Sequence, residues 1–64
     1  MTIQEAMKSG RPFKRKTEQE TLCKYWIKII VNNDGVLCFD TKEFGWHNAL
    51  SLNDILATDW EIKP

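Results

Sequence analysis

Read in order, the apolar positions switch between helical and strand periodicity and predict a small α+β domain. Thr2 and Glu5 stand at capping-box spacing, and Ile3, Ala6 and Met7 follow at i, i+3 and i+4 before Gly10 offers a left-handed stop. Two helical turns are unstable alone, so this stripe must dock on the rest of the domain. Pro12 bars any continuation, and residues 13–16, Phe-Lys-Arg-Lys, read as a short basic strand at a sheet edge, where proline is tolerated. Residues 17–21 are polar and read as a loop.

Residues 22–31 are the longest strand candidate, rich in Ile, Val, Tyr and Trp. One face carries Cys23, Tyr25, Ile27, Ile29 and Val31. The other carries Leu22, Lys24, Trp26, Lys28 and Ile30, a mixture suited to a partly solvated or partner-covered surface. Asn32-Asn33-Asp34-Gly35 then turns the chain. A three-residue loop with Gly35 left-handed pairs Val31 with Leu37 and Ile29 with Phe39, which keeps the apolar residues of the returning strand on one face; a two-residue Asp-Gly loop would scatter them. The first register also sets Cys38 opposite Ile30, away from Cys23.

Residues 41–48, with Phe44, Gly45, Trp46 and His47, show no clear period and read as a loop or a short irregular strand. Ser51 and Asp54 resemble a second capping box, Leu50 and Ile55 are spaced as a hydrophobic staple, and Leu52, Ile55 and Leu56 form an apolar stripe: a second short helix. Trp60 and Ile62 alternate with Asp59 and Glu61 in a closing strand. The expected fold is an antiparallel sheet of three to four strands with two short helices, in a single domain over residues 1–64.

Composition narrows the function. A chain of 64 residues buries only roughly 60% of its unfolded surface, so it needs another source of stability. Two cysteines and one histidine make no zinc set, and the register opposes a disulfide, which leaves reduced thiols and homo-oligomerisation. No apolar run approaches the length of a membrane span and no signal-peptide layout is present, so a cytoplasmic location is expected. Residues 1–30 carry seven basic and three acidic side chains, residues 31–64 two and six, which predicts two electrostatic poles; the zero net charge argues against duplex DNA.

No residue set implies catalysis: His47 reads as a solvated loop side chain, Cys23 and Cys38 as small buried residues, and no cofactor motif occurs. Binding chemistry is better represented. Arg15 shares a strand face with Phe13 and is directed inward, where its partner is Asp59 or Glu61 in an ion pair, or a phosphate or carboxylate held by the planar fork. Lys14 lies beside it. Tyr25, Trp26 and Trp46 stand on or near strands that carry Lys24 and Lys28, an arrangement that can stack on bases and hold phosphates. Against this, Tyr25 and Trp60 also suit a core, and Trp26 a dimer interface.

Two stretches together, Ile3-Gln4-Glu5-Ala6-Met7-Lys8-Ser9-Gly10-Arg11-Pro12-Phe13-Lys14-Arg15 and Leu52-Asn53-Asp54-Ile55-Leu56-Ala57-Thr58-Asp59-Trp60-Glu61-Ile62, resemble the second Thoeris anti-defence family of bacteriophages. That family pairs a short helix, a glycine and a basic strand with a helix ending in an A-x-D-W-E run. The middle of the chain does not match, and Arg15 is followed by Lys16-Thr17-Glu18 where the family commonly continues to a Gly-Trp-like turn. The resemblance implies a small oligomeric sponge that sequesters a cyclic or glyco-cyclic nucleotide signal without cleaving it. The ligand-binding residues expected are Lys14, Arg15, Tyr25, Trp26, Trp46 and Asp59, in a pocket between subunits. The alternative is a protein-binding module that covers a host or phage protein with the Leu22-Trp26-Ile30 face and the aromatic loop. A third reading is weak binding of single-stranded nucleic acid through the basic strand.

Overall fold

The computed structural model describes residues 1–47 and 49–64. Among them, helix α1 (Ile3–Lys8), strands β1 (Phe13–Arg15), β2 (Ile27–Val31), β3 (Leu37–Thr41) and β4 (Gly45–His47), helix α2 (Leu52–Leu56) and strand β5 (Trp60–Ile62) follow in that order. The five strands form one sheet in the order β4-β3-β2-β1-β5, every pair antiparallel. This is the expected α+β class with one strand more than the expected three to four.

Local chemistry sets the first helix and the hairpin as the sequence predicts. Glu5 N–H donates to Thr2 Oγ1 at 3.3 Å and Thr2 N–H to Glu5 Oε1 at 3.0 Å, a reciprocal capping box. The chain leaves the helix through Gly10 at φ 71°. In the hairpin, Asn32 N–H donates to the Val36 carbonyl and Gly35 N–H to that of Asn32, each at 3.0 Å. Asn32 Oδ1 also accepts from the Asp34 and Val36 N–H groups at 2.9 Å. With Gly35 at φ 77°, this three-residue loop fixes Val31 opposite Leu37, Ile30 opposite Cys38 and Ile29 opposite Phe39.

One face of the sheet is covered. Ile3 and Ala6 of α1 join Phe13, Cys23, Ile27, Phe39 and Trp60 in the core. The Phe13 and Trp60 rings meet edge to face, centroids 5.5 Å apart, a contact worth about 0.5–1.5 kcal/mol beyond the area it buries. The buried Trp60 Nε1–H donates to the Asp54 carbonyl at 3.1 Å, so the indole is satisfied.

Four expectations change. First, β1 is an interior strand, flanked by β2 and β5, and not an edge. Pro12 lies just before it and contributes only its carbonyl, which accepts from Lys63 N–H at 2.8 Å, so the missing amide costs the ladder nothing. Second, residues 22–31 are not one strand. Leu22–Lys24 is a single 3-10 turn, started by Thr21, whose hydroxyl accepts from Cys23 N–H at 3.3 Å. The turn brings Cys23 into the core, and this packing outweighs the strand propensity of the segment. Third, Tyr25 is half-buried outside that core, edge to face with Phe44 at 5.1 Å. Fourth, α2 turns its apolar stripe outward: Leu52, Ile55 and Leu56 are 68, 46 and 68% exposed, and Asp54 is the residue it buries. Residues 41–48 resolve into a tight turn and β4, paired with β3, except for Asn48, which lies outside the described residues.

Candidate binding face

Arg15 explains why α2 is reversed. It pairs with Trp60 across β1 and β5, so its side chain enters the covered side, where it is 15% exposed. There Nε and Nη2 donate to Asp59 Oδ1 and Oδ2 at 2.9 and 3.3 Å, and Nη1 to Asp54 Oδ1 at 2.9 Å. Asp54 Oδ2 accepts from Thr21 Oγ1 at 2.9 Å and from Ser51 Oγ at 2.7 Å. A buried guanidinium demands carboxylates, and meeting that demand orients the helix more strongly than three leucine- or isoleucine-sized side chains do. Of the two ion-pair partners expected for Arg15, Asp59 is the one it meets, while Glu61 pairs with Lys14; Asp54 adds a partner that was not expected. Burial pushes the Asp54 carboxyl up, but bonds from Ser51, Arg15 and Thr21 overcome this and hold it below the usual range. Hydrogen bonding by Arg15 lowers Asp59 in turn and raises Arg15. Both charges of the expected pair are therefore engaged with each other on the core side.

The opposite side of the sheet carries neither helix. Strand alternation brings to it Glu61 beside Lys14, then Trp26 and Lys28, then Asp40 opposite both Lys28 and Trp46, with Ile30 opposite Cys38. Two adjoining concavities result. One, of about 280 Å³, is lined by Ile30, Asn32, Cys38, Asp40 and Trp46. The other, of about 390 Å³, is lined by Pro12, Trp26, Lys28, Asp40, Lys42 and Lys63. Each lies near the lower end of ligand clefts, roughly 300–1,000 Å³, and Asp40 is common to both.

The two tryptophans of this face differ. Trp26 is half-buried, with Lys14 Nζ 5.3 Å and Lys63 Nζ 5.9 Å from its ring centre, so its π-face already gathers cations. Trp46 is 67% exposed and offers a bare ring. Lys14 bonds Glu61 Oε1 at 3.0 Å, whereas no ion pair among the described residues involves Lys28, Lys42 or Lys63. With Lys16, whose Nζ lies 3.9 Å from Glu61 Oε2, five lysines face two carboxylates, Asp40 and Glu61, leaving the face basic.

Of the six residues expected to bind ligand, the fold thus groups Lys14, Trp26 and Trp46 on the open face and holds Arg15 and Asp59 on the covered one. Tyr25 joins Phe44 and His47 around a separate concavity, where His47 Nε2 has no hydrogen-bond partner among the described residues. Asp40, Lys42 and Lys63 were not among the expected set. The hairpin register already implies the Lys28–Asp40 pair, and continued alternation from Glu61 reaches Lys63, so both signals were present. Among the described residues, no group of histidine, cysteine or acidic side chains could hold a metal ion, and no helix is long and apolar enough to cross a membrane. No family model, curated protein or solved structure matches the chain.

Proposed function

We propose that this domain is a non-catalytic, phage-type anti-defence protein that sequesters a cyclic nucleotide-type immune signal in the host cytoplasm. The ligand lies on the open sheet face, which a second copy of the chain closes into a pocket between subunits. One observation carries the reading: an exposed indole, a cation-flanked indole and three lysines without ion pairs share a sheet face that the core does not use. A ring stacks on Trp46, and phosphates sit among Lys28, Lys42 and Lys63. Lys14 and Trp26 support the basic end, while Arg15 and Asp59 hold the fold. The resemblance in residues 3–15 and 52–62 gives the ligand its class.

Titration calorimetry with 3′,5′-cyclic AMP, cyclic di-AMP, cyclic di-GMP and cyclic ADP-ribose tests this. Saturable binding of one of them, weakened roughly fivefold or more by Trp46→Ala, is expected; no heat from any ligand removes the reading. Exposed Ile30, Val31, Val36 and Leu37 at the hairpin end favour a second reading, a protein-binding module. A stoichiometric protein partner whose capture is lost on Val31→Asp but kept on Lys28→Glu supports it.

A further inference from the structure

The open face has a feature that a simple anion site would avoid. Asp40 sits where three strands cross in register, with Lys28 on one side and Trp46 on the other, and it lines both concavities. It is half-buried. The ion pairs of the described residues use Glu20, Asp54, Asp59 and Glu61, and none uses Asp40, although a lysine stands directly opposite. Among the described residues, the side-chain hydrogen bonds that satisfy Asp54 and Asp59 have no counterpart at Asp40.

A carboxylate on the floor of a phosphate site repels the phosphate, so the anionic part of a ligand is confined to the Lys28, Lys42 and Lys63 end. A ring on Trp46 occupies the other end, against Ile30 and Cys38. Asp40 lies between them. An ionised carboxylate only accepts hydrogen bonds, so the ligand part that it meets must donate them. In a nucleotide, the group joining ring to phosphate is the sugar, and its donors are hydroxyls. Acidic residues that read ribose hydroxyls are a recurrent device in dinucleotide sites.

We propose that Asp40 is the specificity-determining residue of this face, accepting a hydrogen bond from the ribose 2′-hydroxyl, so that the site selects ribonucleotides over their 2′-deoxy counterparts. The proposal rests on the sheet-face reading above. A structural role for Asp40, as a mere cross-strand complement of Lys28, predicts no sugar selectivity.

The test compares affinities of cyclic di-AMP and cyclic ADP-ribose with those of their 2′-deoxy analogues, for the unaltered protein and for Asp40→Ala and Asp40→Asn. Thermal denaturation of each variant checks that it is folded. The unaltered protein should bind a ribo ligand roughly tenfold or more tightly than its analogue, the effect of one charged hydrogen bond. Asp40→Ala should abolish that ratio while binding of the 2′-deoxy ligand is kept or tightened, because the repulsion of phosphate goes with the charge. Asp40→Asn, which keeps an acceptor, should retain part of the preference. Equal affinity for both sugars, or a preference that survives Asp40→Ala, overturns the inference and leaves the sheet-face reading standing. Failure of every ligand to bind overturns both.

Discussion

Arg15 looks inward for the reason the strand pattern gives, but its consequences are larger than one ion pair. Its fork spans β1, the N-terminal turn of α2 and the residue before β5, so three chain segments depend on it. Removing one member of a buried pair strands the other charge and costs roughly 3–5 kcal/mol, a large part of the stability of so small a domain. Arg15→Ala and Asp54→Ala should both lower the urea midpoint sharply, and Lys14→Ala should barely move it, because the Lys14–Glu61 pair is partly exposed. Acid sensitivity follows from the same residues. Asp54 and Asp59 are held below the usual carboxylate range when folded, so the stability they add is fully present above about pH 4 and is lost as pH falls through the folded values. Circular dichroism on acid titration should show unfolding below about pH 4, the Asp54 contribution dominating because Asp59 is more exposed. Cys23 behaves in the opposite sense: burial, reinforced by the charge of Asp54, pushes its thiol up to about 12. It should resist alkylation at pH 8 in the native protein and react once denaturant is added.

Among the elements, those fixed by contacts within a few residues were legible in the sequence. The α1 capping box and the hairpin register each rest on such short-range bonds, and both form as expected. Gly35→Ala checks the hairpin directly: at φ 77° a Cβ is strained, although no neighbouring atom obstructs it, so a loss of about 1–2 kcal/mol in urea denaturation is expected. What escaped the sequence depends on distant partners. Leu22 to Val31 has continuous strand propensity, yet Thr21, tied to Asp54 across the molecule, caps a turn inside it. The apolar stripe of α2 is as regular as that of α1, but the demand of Arg15 for Asp54 decides which side faces in. The neighbours of β1 were equally hidden, since a three-residue strand carries no sign of whether it is paired on one side or two.

Across the whole molecule, strand pairing interleaves the basic and acidic halves of the chain instead of leaving two poles. Lys14 meets Glu61, Arg15 meets Asp54 and Asp59, and Lys28 from the first half joins Lys42 and Lys63 from the second. The outcome is a two-layer domain with a satisfied ion network on its covered side and unpaired lysines beside two indoles on its open side. Half of the expected binding residues are on that open side; the rest serve the core or a separate aromatic cluster. The three tryptophans report on this division without any substitution, because Trp26 and Trp46 lie on the open face and Trp60 is buried beneath the other. Titrating the ¹⁵N-labelled protein with cyclic di-AMP and cyclic ADP-ribose, and following the three indole N–H resonances, addresses the central claim most directly. Saturable shifts of the Trp26 and Trp46 indoles, with Trp60 unmoved, are the predicted result. Shifts centred on Trp60 and Arg15, or no shift with either ligand, would contradict the assignment of the open sheet face as the nucleotide site.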